Sequence, residues 1–259
     1  IDTAKPSQQF GGFASLAYGN LGSVRGEGAV TMPLTETVQV RVSGLWNHRD
    51  DWVDNAYDAS FADPNCKDLG NFDDVAGRIH IAWTPTDRLS ALLTLQARDY
   101  EGTGTMNRAN VLTKGSNELN ANFDREKVYY DGGRNNFQKQ NTTSQSLQVA
   151  YDFGPATLTG VVGSYQGKSS GNGDIDGGVA SAPAGAPFKT PFNSETGTLN
   201  SDLLQNTYEL RLSSYGDGPL GWQVGAFYWD ERFNLISATF NGTGGMLPTI
   251  ITDIVQRSE

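Results

Sequence analysis

The connections between the alternating segments of this chain fall into two classes, and the classes are sorted to opposite ends. Val38, Val40, Val42, Gly44 and Trp46 alternate with Gln39, Arg41, Ser43, Leu45 and Asn47. Val75, Gly77, Ile79, Ile81 and Trp83 alternate with Ala76, Arg78, His80 and Ala82. Similar runs begin near Val24, Leu89, Ser146, Thr207 and Trp222, while 10–18 and 156–166 read as strands whose apolar face is ambiguous. A period of two marks a strand with one apolar and one polar face. Counted from residue 10, the tight turns at 33–36, 84–88, 152–155 and 215–219, rich in Pro, Gly and Asp, all lie at one end of the strands. Long polar connections at 49–74, 100–142 and 168–204, and another starting near 233, lie at the other end, where only 19–23 is short.

A soluble sandwich has no reason to sort its loops this way, whereas an outer-membrane barrel has short periplasmic turns and long external loops. The predicted fold class is therefore all-β: an antiparallel transmembrane β-barrel portion of about 9–10 strands. Such a strand spans a bilayer with ~9–11 residues, so the lack of an ~18-residue apolar run excludes only a helical membrane protein. Trp46, Trp83, Tyr151, Phe153, Trp222 and Tyr228 sit near strand ends, as an interfacial aromatic belt requires. Arg25, Glu27, Arg41, Arg78, Glu209 and Arg211, with Arg98, fall on polar faces and are expected to line a wet lumen. There, neighbouring strands are expected to pair Arg with Glu. Residues 253–259 are polar and are not expected to complete an apolar strand. An edge left open in lipid would strand backbone polar groups, so the chain is expected to be part of a larger barrel.

Several stretches resemble TonB-dependent outer-membrane receptors. Lys5-Pro6-Ser7-Gln8-Gln9-Phe10-Gly11-Gly12 and Tyr18-Gly19-Asn20 are similar to the passage from plug to first barrel strand. Val40-Arg41-Val42-Ser43-Gly44, Asp73 to Arg78, Trp83 to Leu89, Tyr208 to Ser214 and Trp222 to Tyr228 are similar to early strands of that barrel. The resemblance implies residues 1–9 as a plug-to-barrel junction and 10–259 as a partial barrel domain, from a barrel of about 22 strands. It also implies a bacterial outer-membrane location and energised uptake of a scarce nutrient, such as siderophore-bound iron, cobalamin or a glycan. The implied partners are the TonB-ExbB-ExbD complex acting through a plug, the remainder of the barrel, outer-membrane lipid and lipopolysaccharide, and a small-molecule or oligosaccharide substrate. The alternatives are a passive porin-like channel and a soluble carbohydrate-binding or hydrolytic β-domain.

Enzyme chemistry finds little support in the residues. Gly167-Lys168-Ser169 follows a strand-like run, but Val162 occupies the position where a phosphate loop needs glycine. Gly102-Thr103-Gly104 is followed by Asn107 where a dinucleotide fingerprint needs its third glycine. Asp174-Ile175-Asp176-Gly177-Gly178 is a partial calcium-loop pattern without the downstream acidic ligand. His48 and His80 are the only histidines, so a two-imidazole metal site would have to combine them. Neither a catalytic residue nor a metal or cofactor is predicted. Cys66, the single cysteine, reads as a loop thiol, and 19 Lys+Arg against 29 Asp+Glu argue against nucleic acid as a partner. The candidate ligand-binding residues are the loop aromatics Trp52, Tyr57, Tyr129, Tyr130 and Phe137, with Phe61 beside them. Rings offer stacking area, and the surrounding Arg108, Lys114, Arg125, Lys127, Arg134 and Lys139 add direction. Packing of these loops on one another is the competing role.

Overall fold

The structure, a computed structural model, describes residues 4–57, 68–131, 136–215, 220–240 and 250–258. Cys66, Phe61, Arg134 and most of the turn at 215–219 lie outside the described residues. The described residues contain no helix. Ten strands form one antiparallel sheet: β1 (Gly11–Tyr18), β2 (Val24–Pro33), β3 (Val38–Arg49), β6 (Phe72–Thr86), β7 (Leu89–Thr103), β9 (Phe137–Asp152), β10 (Ala156–Asp174), β11 (Glu195–Ser214), β12 (Gln223–Phe240) and β13 (Ile250–Ser258). Each pairs with the next of these in the chain, so the topology is a simple meander. Three short strands, β4 (Val53–Asn55), β5 (Asp68–Leu69) and β8 (Lys127–Val128), form a second sheet among the long connections.

The turns follow from their residues. Asp87 and Arg88 alone connect β6 to β7, where Thr86 Oγ1 accepts from the amides of Arg88 and Leu89. Between β9 and β10, Gly154 takes a φ of 98°, open to glycine at no steric cost, and its amide donates to Asp152 Oδ1 at 2.6 Å.

Burial is inverted relative to a soluble protein. Gln39 and His80 are 5% exposed, whereas Val42 is 45%, Leu210 53% and Val224 61% exposed. Polar side chains are occluded because the sheet curls around them; apolar ones stand on the outer surface. The register puts residues 10–18 and 156–166 on definite faces: Leu16 and Tyr18 share the apolar face with Gly26 and Val24, and Leu158 and Val162 share it with Leu212 and Tyr208.

The upper limit of the apolar face crosses the register diagonally. Its last apolar positions are Trp46, Val75, Ala97, Leu147, Val162 and Tyr208; beyond them come His48, Asp73, Asp99, Gln145, Ser164 and Asn206. Tyr208 shares a hydrogen-bonded row with Val162, Leu147, Leu93, Ile81 and Val40, yet the limit on β3 is Trp46, six positions past Val40. Over the five steps from β3 to β11, at ~3.3 Å rise and ~4.8 Å between strands, this is a tilt of about 40°. Transmembrane barrel strands tilt by ~35–45°. The apolar residues therefore make a level belt only if the strands slant through the bilayer as barrel strands do.

Two expectations from the sequence need correction. The long connections are shorter than anticipated, because β6, β7, β9, β10, β11 and β12 continue past the belt as paired strands. Both faces are wet there, so pairing persists while alternation stops, as in Asn141, Thr142, Thr143, Ser144 and Gln145 of β9. Likewise, most of the polar C-terminal run is a strand. β13 pairs with Glu231 to Thr239 of β12, above the belt, and so needs no apolar face.

The face assignment predicts opposite responses at neighbouring residues. Ile79→Arg, on the belt, is expected to cost about 2–4 kcal/mol near mid-bilayer. Arg78→Leu, on the polar face, should cost clearly less, as measured by denaturant-dependent insertion into lipid vesicles.

Candidate ligand-binding loop layer

Beyond the belt, β10 runs from Val162 to Asp174, which carries its end roughly 30 Å above the belt at the strand rise and tilt already given. There the chain builds a small core of its own. β4 pairs antiparallel with β5, Val53 opposite Leu69, and parallel with β8, Asn55 opposite Val128. Val53, Leu69, Val128 and Tyr130 are each 1% exposed, with Trp52 and Met106 packed against them. Asn55 extends the ladder with its side chain: its Nδ2 donates to Tyr130 O at 3.0 Å and its Oδ1 accepts from Tyr130 N at 2.9 Å. Gly70 at φ 94° closes the turn beneath Trp52, where a Cβ would lie 2.4 Å from the indole nitrogen.

The predicted ligand aromatics separate by role. Tyr130 is core, and its hydroxyl donates to Asn107 O at 2.9 Å, so it offers no accessible face in this arrangement. Trp52 packs on the core and carries the Arg125 guanidinium 5.1 Å above its ring. Phe137 opens β9, with Lys139 Nζ 6.0 Å from its centroid, away from the others. Tyr57 and Tyr129 come together around Phe188, which the sequence reading did not single out. Tyr129 stacks on Phe188 at 4.1 Å and 8°, Tyr57 tilts against it at 6.4 Å, and Tyr57 Oη lies 3.1 Å from Ser181 Oγ. An aromatic after Pro187 in a Gly/Pro-rich loop was the available signal. Gly178 permits the arrangement, since a Cβ there would meet Phe188 O at 2.4 Å.

Beside this aromatic group lies a set of carboxylates. Asp174 and Asp131 are buried, and Glu195 with them. Asp176 is held by Ser194 N at 2.7 Å and Thr190 Oγ1 at 2.8 Å. Burial pushes the Asp174 carboxyl up to about 8, helped by the charges of Asp176, Asp131 and Glu195 and opposed by the 2.7 Å bond from Gly177 N. Asp131 is pushed up to about 6 by burial and then by Asp176, with Asn193 opposing. Among the described residues no group of three His, Cys, Asp or Glu is arranged to hold a metal ion. His48 and His80 lie on opposite faces of the sheet, His48 with Asp73 on the outer face and His80 with Arg41 on the polar face, and cannot combine.

The predicted lumen residues all fall on the polar face of the sheet. Arg25 pairs with Glu27 at 2.9 Å and Arg211 with Glu209 at 3.0 Å, each along its own strand rather than across strands as expected. Residues two apart on one strand share a face, which suffices. A cross-strand pair does occur, between Arg98 and Asp74 at 2.7 Å. Arg41 and Arg78 instead donate to neutral acceptors, Thr31 Oγ1 and Gln96 Oε1.

This combination of a tilted inside-out wall and a folded loop layer has counterparts among solved structures. The ferric yersiniabactin uptake receptor FyuA of Yersinia pestis superposes with a TM-score of 0.69 at 16% identity, covering 97% of this chain and 35% of the receptor. The siderophore receptor PiuA of Acinetobacter baumannii gives 0.70 at 12% identity, covering 98% and 38%. The ferripyoverdine receptor of the Pseudomonas aeruginosa outer membrane gives 0.66 at 13% identity, covering 98% and 34%. The fold is that of part of the β-barrel wall of these receptors. The chain spans about a third of the length of these receptors. No protein-family model matches the chain, and no curated protein matches it in sequence.

The buried carboxylates give the loop layer a pH dependence of definite sign. Between about pH 4 and 8 the unfolded Asp174 and Asp131 ionise while the folded ones resist, so the layer loses stability as pH rises through this window. Hydrogen exchange of 104–131 and 174–195, corrected for intrinsic rates, should show weaker protection at pH 8 than at pH 5, choices spanning ~3 units of that window. Asp174→Asn should remove most of the difference.

Proposed function

We propose that this chain is part of a TonB-dependent outer-membrane receptor that captures a scarce nutrient and passes it inward by energised transport. In this reading residues 1–9 join a plug to the barrel, residues 10–259 form barrel wall and loops, and the TonB-ExbB-ExbD complex acts through the plug. The observation that carries the reading is the wall itself. An apolar belt tilted like a transmembrane barrel, a polar inner face and a prefolded loop layer on one rim together suit capture from outside and passage through a wet interior. A ferric siderophore is the leading substrate class, because the receptors described above bind or take up siderophores by name. Tyr57, Tyr129 and Phe188 are the capture surface we assign, with Trp52 and Tyr130 holding the layer in shape.

Transport of radiolabelled ferric siderophores into iron-starved cells tests this. Deleting the gene should abolish uptake of at least one siderophore, and collapsing the proton gradient should do the same in the parent strain. Uptake that survives collapse of the gradient would instead mean a passive channel. Phe188→Ala should weaken binding to whole cells on the order of tenfold, the loss of one stacked ring in a prefolded site.

A further inference from the structure

The outer face carries a groove that begins inside the belt and ends above it. Val42, Ile79 and Leu95 line one end and Thr143, Gln145, Ser164 and Gln166 the other, in a volume of about 610 Å³. Register explains the shape. Gly44, Gly77, Ala97, Thr143 and Gln166 follow one another along a single row from β3 to β10. The small residues at the β3 end leave the floor open, and a Cβ on Gly77 would meet nothing within 4 Å. Rows run across the strands, so with strands tilted by about 40° a row climbs through the upper limit of the belt. Gly77 and Ala97 lie within that limit, whereas Gln145 and Ser164 lie beyond it.

The next outward-facing row adds charge. Asp99, Asn141 and Lys168 lie opposite one another on β7, β9 and β10, and line a recess of about 370 Å³ with Glu101 and Lys139. Asn141 donates to Asp99 at 2.9 Å, and Lys139 pairs with Glu101. Lys168 is exposed two positions above Gln166 and has no carboxylate partner among the described residues. All these groups stand on the outside of interior strands. Further strands of a closed wall join at β1 and β13, and a plug stands on the opposite face, so neither covers them.

We propose that this groove seats one lipopolysaccharide of the outer leaflet, with an acyl chain over Gly44, Gly77 and Ala97 and the phosphorylated saccharide at Gln145, Ser164 and Lys168. The groove is continuous with the lipid-facing belt, so its occupant comes from the bilayer. Over the glycine floor a chain packs by dispersion. Beyond the limit, amide and hydroxyl side chains exchange hydrogen bonds with sugar hydroxyls, which hydrocarbon cannot do. Lys168 attracts a phosphate and would repel the ammonium of a zwitterionic headgroup. The seat rests on the outer-membrane reading above, with the long connections facing outward.

Native mass spectrometry of the full receptor in mild detergent, titrated with lipopolysaccharide trimmed to its inner core, tests the seat. The parent should retain one lipopolysaccharide in preference to phosphatidylethanolamine. Gly77→Leu, which fills the floor, should lower affinity on the order of tenfold. Lys168→Gln should weaken binding about threefold, the loss of one exposed ionic contact, and remove the preference for phosphorylated over dephosphorylated lipopolysaccharide. Gly160→Leu, an added side chain opposite Val149 on the belt outside the groove, should bind as the parent does. Equal affinity in the parent and Gly77→Leu overturns the seat, and so does displacement by phosphatidylethanolamine at equal concentration. If Gly77→Leu alters thermal unfolding of the receptor, the phosphate preference of Lys168→Gln decides. Siderophore uptake is read separately: bound lipopolysaccharide without uptake refutes only the transport reading, and uptake without retained lipopolysaccharide refutes only the seat.

Discussion

A hydrocarbon interior offers no partner to a peptide group, so every N–H and C=O that enters it must be paired within the protein. The meander satisfies this in the most local way available, each strand of the large sheet bonding to the next in the chain. Once the backbone is committed to such a sheet, side chains have only two directions. Lipid claims one and water the other, and the inverted exposures of Val42 and His80 follow. The arginines of the polar face are therefore no anomaly: they stay partly exposed, on the side of the sheet that water claims.

The same constraint sets where the sequence pattern stops. Alternation is demanded only across the belt, so it ends at Leu147 on β9 and Val162 on β10, although both strands continue upward. Above that line the strands are held by ladder hydrogen bonds and by polar pairs such as Lys139 with Glu101 and Arg232 with Asp202. β13 belongs wholly to this upper region, which is why its residues show no belt.

What could be read from the sequence divides along that boundary. Turn chemistry and period-two runs placed the strands through the belt and sorted the loops, because each depends on neighbours two to four positions apart. The extended upper strands were invisible, since Thr142 to Gln145 satisfy the ladder without any preference that marks them as strand. The site was less legible. The burial of Tyr130 and the ring cluster around Phe188 were not legible, because they depend on partners far along the chain, Asn55 and Asn107 for one, Tyr129 and Tyr57 for the other. The pairing of the arginines was partly legible: Glu27 lies two residues from Arg25 on the same face, whereas the acceptor of Arg41, Thr31, comes from the neighbouring strand.

The chain thus solves two folding problems with opposite rules. Its wall hides polar groups behind an apolar exterior, while its loop layer hides Val53, Leu69, Val128 and Tyr130 behind a polar one. The second problem is the harder, because so small a core gains little by burial. It is met by ordering the surrounding backbone through side chains: Asn55 bonds to Tyr130, Arg49 to Gly70 O and Arg108 to the carbonyls of Arg125 and Lys127. Each of these replaces a ladder bond that the short strands β4, β5 and β8 are too brief to make. A layer held this way presents its aromatic group already assembled, so less ordering remains to be done when a ligand arrives. Its buried carboxylates work against that rigidity as they ionise. The proposed capture surface is consequently a part of the molecule whose order responds to the pH outside, while the wall beneath is fixed by the ladder.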